Sequence, residues 1–306
     1  MSSNYKDTWN SRAKSPEAAM AAVDGSVDET IVQHTGRWAA QQVRVALDIQ
    51  AGDEVLELGC GVGRIGRELA PLCRHWTGVD ISENMLGHAA NRLADRPNVS
   101  FHQLTRTSLD MLAEDSIDKA YSIAVFCHMD KEDLYLYLQE LKRVIRPGGL
   151  IFVETWNLSS EIGWRRWEYE PLVWKDADHA QRKDVARNQF CTPDEFELYV
   201  QKAGFQPLAN FHESQSVQII AGNGLSAGQA QAQRTRIQAN NSRIAYSALY
   251  AELFGQFVDV IFGKLHAGDM LAFIDQHADT EEARLYRPYL FALWKKNAEI
   301  WGDTPV

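Results

Sequence analysis

The chain has 306 residues, 45% of them hydrophobic and 24% charged, which suits a globular protein holding one large domain or a domain plus an extension. Its 41 acidic and 31 basic side chains leave a net charge of −10, and that speaks against broad nucleic-acid binding, which needs basic surface to neutralise phosphates. No apolar run approaches the roughly 18 to 20 residues that would cross a bilayer. The polar N-terminus lacks the apolar stretch of a signal peptide, and Cys60, Cys73, Cys127 and Cys191 are scattered as reduced thiols would be. A cytoplasmic location with no membrane partner is therefore expected.

In chain order, residues 1–29 read as an N-terminal arm or lid, polar and Ala-rich, ending in a short helix and carrying Tyr5 and Trp9 as its bulky aromatics. From 30 to 47, Ile31, Val32, Trp38, Val43 and Leu47 suit an amphipathic helix. Strands are predicted at 54–58, 75–79, 99–103, 118–126 and 149–154, and helices at 63–72, 83–93 and 131–145. Such alternation reads as an α/β, doubly wound fold: a parallel sheet with helices on both faces. Arg146-Pro147-Gly148-Gly149 ends one helix and turns the chain into the next strand.

Residues 157–190 lack clear periodicity but carry Trp164, Trp167, Tyr169 and Trp174 among charges. Thr192 as N-cap, Pro193 in the first turn and Glu195 three residues on open a helix that ends at Gly204. Strands at 206–213 and 216–221 are close enough to form an antiparallel hairpin. The chain then changes character. Ile237, Ile244, Leu249, Leu253, Phe257 and Val260 recur at helical spacing, and a second helical stretch covers 280–301, with Pro288 inside it. Residues 225–306 thus form a helical C-terminal extension. Its stripe serves as a core face, as a homodimer interface or as a wall of an acceptor pocket, and the sequence leaves the three open.

The chemistry concentrates where a short apolar strand, Val55-Leu56-Glu57-Leu58, breaks into Gly59-Cys60-Gly61-Val62-Gly63. Glycines at a strand-to-helix turn let backbone approach a ligand closely. Asp80 ends the next apolar segment, about where a ribose-binding acid belongs in a nucleotide-binding βαβ unit. An adenosine-containing cofactor follows. Gly61-Val62-Gly63-Arg64-Ile65-Gly66 formally satisfies the dinucleotide fingerprint, yet Glu57 would repel a pyrophosphate. A cofactor bearing an ammonium and a sulfonium tolerates that carboxylate.

Here the chain resembles the class I S-adenosylmethionine-dependent methyltransferases of the small-molecule type. Glu57-Leu58-Gly59-Cys60-Gly61-Val62-Gly63 is similar to their first motif and Val79-Asp80-Ile81-Ser82-Glu83-Asn84-Met85-Leu86 to their second. Residues 118–122 resemble their fourth strand, 141–149 their Pro-Gly-Gly turn and 192–205 their late helix. These ordered matches cover roughly residues 30 to 222, within a methyltransferase domain of residues 30–224. It implies a seven-stranded Rossmann-like sheet of order 3-2-1-4-5-7-6, strand 7 antiparallel, with S-adenosylmethionine across the carboxyl ends of strands 1 and 2 and S-adenosylhomocysteine as product.

It further implies that the backbone of Gly59, Cys60, Gly61 and Gly63 packs on the methionine portion, with Glu57 holding that loop or the amino group. Asp80 would bind the ribose hydroxyls, while Ile81 and Met85 would flank the adenine. Where the family often places an acid after strand 3, this chain has Leu104 and Thr105, leaving backbone groups or Thr107 to meet the adenine amino group.

His128, directly after strand 4, is the candidate general base, a role that helps only if the acceptor has a proton to lose. Its alternative is a pocket-shaping histidine. Trp156, Trp164 and Trp167 with Arg165 and Arg166 form a candidate acceptor lid over 157–190, where aromatic faces suit a cation and an arginine suits a carboxylate. The alternative for these tryptophans is plain packing. Tyr5 and Trp9 are candidates to close over the cofactor as a flap.

An acidic chain with such an insertion fits a small-molecule acceptor: an amino-acid-like or thioether metabolite such as methionine, an amine, or a phenolic or carboxylate oxygen with His128 as base. No residue cluster suits a metal. From other classes, an NAD-dependent oxidoreductase and a non-catalytic S-adenosylmethionine-binding module stay open.

Overall fold

Strands with mostly buried residues pair side by side into a single sheet in the computed structural model, which describes residues 3–178 and 188–304. The apolar runs give β1 (Glu54–Leu58), β2 (His75–Asp80), β3 (Val99–Gln103), β4 (Ile117–Ser122) and β5 (Ile145–Asn157), all parallel. β7 (Gln206–Phe211) and β8 (Ser216–Gly222) form the hairpin, and β8 runs antiparallel to β5. The order β3-β2-β1-β4-β5-β8-β7 is the expected topology. The last two strands carry higher numbers because a two-residue strand, β6 (Phe190–Cys191), adds to the end of β5 through Trp156 and Phe190.

Helices cover both faces, as buried parallel strands require. On one face α6 (Lys131–Val144) and α8 (Pro193–Lys202) bury Leu134, Leu138, Leu141, Phe196 and Val200 against Leu56, Ile151 and Val217. On the other, α3 (Glu29–Leu47) buries Val43 and Leu47 with Trp76, Phe152 and Ile220. Its start is set by Asp28, whose carboxylate accepts the Thr30 N–H at 2.8 Å.

Several predicted boundaries move, each for a local reason. Helix α4 (Gly66–Leu69) starts three residues later than 63, because the Gly59 and Cys60 N–H groups both donate to Val79 O and the Gly63 N–H to Cys60 O. That backbone is spent on a turn. β4 stops at Ser122 instead of 126: Ala124 takes the left-handed region (φ 57°), and Phe126–His128 forms a 3-10 turn. β5 runs past both ends of 149–154, to Ile145 and Asn157.

Residues predicted as a loose arm form two helices, α1 (Ser3–Arg12) and α2 (Pro16–Asp24), the second capped by Ser15 and closed by Gly25. α5 (Glu83–Arg92) starts at Ser82, whose hydroxyl accepts the Met85 N–H at 3.2 Å. The aperiodic 157–190 region contains α7 (Glu161–Val173); its residues 179–187 lie outside the described residues.

In the C-terminal extension α9 (Ala227–Ala239) still lies on the sheet, burying Ala230 and Ile237. After α10 (Asn241–Ile244), helices α11 (Ala248–Ile261), α12 (Ala267–Gln276) and α13 (Glu281–Lys296) build a separate core of Leu253, Val260, Met270, Leu285 and Trp294, followed by α14 (Ala298–Trp301). The helical stripe of this tail is a core face. Asn241–Ile261 is long and apolar enough to cross a membrane by length and composition, contrary to the reading of the sequence. Here it breaks at residues 245–247, and Asp259 within it is tied to Arg165 and Tyr169 of α7.

Candidate active site

A cleft opens where the carboxyl ends of β1, β2 and β4 meet, at the switch point of the sheet. Its floor is the glycine turn. Gly59 has φ 77°, and a Cβ there would stand 2.4 Å from Val125 Cγ2. Gly61 has φ 51°, and its Cβ would meet Val23 Cγ1 at 2.7 Å. Backbone therefore forms a surface that any side chain would fill.

Asp80, at the end of β2, accepts the Gly61 N–H on Oδ2 and the Ser82 N–H on Oδ1, both at 2.9 Å. Both oxygens are held in place, each keeping a lone pair for a ligand hydroxyl. Burial raises its pKa above the ordinary value, and the backbone donors of Ser82, Gly61 and Ile81 oppose that.

Glu57 lies on β1 beside Tyr121 of β4 in register. The Tyr121 hydroxyl donates to Glu57 Oε2 at 2.6 Å and accepts from Trp76 Nε1 at 3.0 Å, so one polar chain crosses three strands. Glu57 is 4% exposed, and its pKa is pushed up to about 8, chiefly by burial; the Tyr121 bond and the Arg64 charge pull it down and Asp80 pushes it further up. The site thus holds a proton at neutral pH that an arriving cation would displace.

The cleft carries three carboxylates, Glu57, Asp80 and Asp133, against one guanidinium, Arg64. Arg64 Nε stands 3.8 Å from Asp24 Oδ1 at the end of α2. Asp133 on α6 accepts from Thr107 Oγ1 at 2.7 Å. Cys60 is buried, its thiol held well above the usual range by desolvation, so it packs and does not react.

Helices α1 and α2 roof the cleft. Tyr5, Trp9, Ala22 and Val23 face it, and Trp9 meets the His128 ring edge-on at 5.0 Å. Tyr5 OH accepts the Asp130 N–H at 2.9 Å, and Ser82 Oγ donates to Asn10 Oδ1 at 2.8 Å.

Of the residues singled out in the sequence, Glu57, Gly59, Cys60, Gly61, Asp80, Ile81, Met85, Leu104, His128, Tyr5 and Trp9 line this one cleft. Gly63 does not. It lies under the turn, facing Leu93 and Ala89. Thr105 is exposed outside it, and Thr107 reaches it only through Asp133.

The five acceptor-lid residues also lie elsewhere. Trp164 and Trp167 meet at 5.1 Å with their rings tilted by 36° on the outer side of α7, 49% and 39% exposed. Arg165 is spent on Asp259 at 2.6 Å and Glu161 at 3.1 Å. Arg166 covers the Trp156 ring at 4.1 Å and stands 3.6 Å from Glu170, while Trp156 Nε1 donates to Asn188 Oδ1. The join to the C-terminal helices is made by Trp156 against Phe254 and by Arg165 and Tyr169 on Asp259, while Trp164 and Trp167 face outward. Reading the sequence for site residues missed Asp133 and Tyr137, which line the cleft, and Tyr121, which reaches it only through Glu57; the first two, four apart on α6, share a helix face, which was the available signal.

Residues 55–149 match the family model of the methyltransferase domain. The methyltransferase GfsG of Streptomyces halstedii is 35% identical over 124 residues, 39% of this chain and 43% of that protein. Demethylmenaquinone methyltransferase of Tropheryma whipplei is 35% identical over 109 residues, 35% of this chain and 43% of that protein. The match therefore spans less than half the length of either relative. Among solved structures, the N-methyltransferase NodS of Bradyrhizobium japonicum, in complex with S-adenosyl-L-homocysteine, superposes with a TM-score of 0.52 at 14% identity, covering 72% of this chain and all of that one. At that identity the likeness speaks to the fold.

Proposed function

Since its methyltransferase domain makes the chain a member of the class I S-adenosylmethionine-dependent methyltransferases, we propose that it transfers a methyl group from S-adenosylmethionine to a small-molecule acceptor. One observation carries this: a glycine-floored cleft at the switch point lined by three carboxyl groups, one of them holding its proton until a cation arrives, and a single guanidinium. That balance suits a ligand with an ammonium and a sulfonium and opposes the pyrophosphate of a nicotinamide cofactor.

When bound, the sulfonium supplies a methyl group already activated for transfer, so the chain's own task is to bind, orient and exclude water. Asp80 receives ribose hydroxyls on oxygens pinned by Gly61 and Ser82. Glu57 gives up its proton to pair with the cofactor's positive end, and Arg64 is the partner for its carboxylate. Met85 and Leu104 make the apolar walls for the adenine, and Asp133 supplies the acceptor for its amino group that Thr105 does not. Tyr5 and Trp9 close over the reacting end, beside His128.

The acceptor is a thioether or amino-acid-like metabolite, or an amine. The second reading, an oxygen acceptor deprotonated by His128, is favoured by the placement of that imidazole on the cleft wall. The test is release of S-adenosylhomocysteine, read by mass spectrometry against a metabolite panel. Failure of every acceptor in the panel to yield S-adenosylhomocysteine, together with no calorimetric binding of that product, would end the proposal. His128→Ala sorts the acceptors: activity is kept with a thioether and falls by about 10²–10⁴ with an oxygen acceptor.

A further inference from the structure

A second groove runs between the first half of α3 and the length of α13, away from the cofactor cleft. Its walls are helix faces. On α3, Ile31, His34 and Arg37 recur every three residues, and on α13, Arg284, Pro288, Phe291 and Lys295 recur at i, i+4, i+7 and i+11. Each is the spacing by which a helix addresses a neighbour. Between them Val27, Ile31, Leu285 and Phe291 give an apolar floor.

The rims are basic in a chain of net charge −10. Arg37, Arg284, Lys295 and Lys296 are exposed and form no ion pair among the described residues. Arg287 is paired with Asp275 and lies over Phe291 at 5.2 Å. The one acid of the groove, Asp28, is occupied by the Thr30 N–H. His34 Nε2 is buried with no hydrogen-bond partner among the described residues. Four cations with no ion pair among the described residues therefore border a trough whose basic wall, from 284 to 296, is about 18 Å long at 1.5 Å per residue.

We propose that this groove docks an acidic amphipathic helix of a partner protein, with apolar residues on the floor and carboxylates between Arg37 on one rim and Arg284, Lys295 and Lys296 on the other. The length decides against a single phosphate or carboxylate ligand, and two facing helix seams are what a third helix needs. The inference stands apart from the methyl-transfer reading, since none of these residues touches the cofactor cleft.

The test uses the full chain and a fluorescein-labelled amphipathic peptide of about 14 residues, with Glu and Leu at helical spacing. Anisotropy is expected to show binding that weakens as salt is raised. Arg37→Glu/Arg284→Glu/Lys295→Glu is expected to weaken it at least tenfold while leaving S-adenosylhomocysteine binding, the control for an intact fold, unchanged. A Lys/Leu peptide that binds equally well would overturn the proposal. So would a charge-reversed variant that binds like the parent, or binding to phosphatidylserine vesicles with none to the peptide.

Discussion

The floor and the roof of the cofactor cleft are held by opposite means. Every anchor of the floor is backbone or close to it: Gly59 and Cys60 hang from Val79 O, and Asp80 grips the N–H groups of Gly61 and Ser82. The roof hangs on side chains from remote parts of the chain. Asn10 meets Ser82 and Asn84, Tyr5 meets Asp130, and Asp24 receives Thr35 Oγ1 at 2.6 Å, Tyr289 OH at 2.6 Å and the Arg64 charge. The floor is fixed by its own backbone, whereas the roof depends on side chains of several separate elements.

The largest expected effect tests the floor. Asp80→Ala removes two ligand-facing oxygens and strands two backbone donors; at about 1.5–3 kcal/mol per charged hydrogen bond, cofactor affinity should fall by 100-fold or more in calorimetry. An unchanged affinity would mean that the floor is not where the cofactor sits. Next, Gly59→Ala should lower stability by about 1–3 kcal/mol from backbone strain, before the clash with Val125 is counted. Val125→Ala in that background should recover part of the melting temperature by opening the space.

The same contrast explains what could be read in advance. The motif residues Glu57, Gly59 and Asp80 were legible because a strand, a turn and a strand end fix them within a short stretch. The roof was not: Tyr289 lies 265 residues from the carboxylate it meets, and no local pattern announces that bond. The order of the sheet was legible from alternation, while the end of β4 was missed because a left-handed Ala124 leaves no mark in composition. Arg165 of α7 was read with its neighbouring tryptophans as part of a lid because a basic residue beside aromatics suits both a cage and a helix joint. The choice was made by Asp259, some 90 residues on.

A pH titration sharpens the electrostatic side of the floor. With a folded pKa of about 8 against an ordinary 4.5, Glu57 is neutral in the free protein at pH 7. Its neutral form is fully accommodated below the lower value, and stability is lost as pH climbs through the upper one. Affinity for S-adenosylmethionine should therefore rise with pH, by up to about tenfold per unit, and level off above 8. Glu57→Gln should flatten that curve; a slope that survives the substitution would place the proton elsewhere.

The roof should respond in rate more than in affinity. Asp24→Asn weakens links to Arg64, α3 and α13 together and should speed cofactor release about tenfold in stopped flow, in line with roughly 1–2 kcal/mol for a charge-assisted bond. Tyr5→Phe, which loses one neutral bond to the Asp130 N–H, should do the same by only a few-fold. If Asp24→Asn and Tyr5→Phe left release untouched, the two helices would be fixtures and not a cover.

The hydroxyl of Tyr121 sits between an acid and an indole, and this gives the molecule an optical gauge of its own. When a cationic ligand strips the proton from Glu57, the bond from Tyr121 becomes charge-assisted, and the polarised hydroxyl pulls harder on the Trp76 N–H. The emission of that buried indole, isolated by subtracting a Trp76→Phe trace, becomes a stopwatch for filling of the pocket that needs no dye and no labelled ligand.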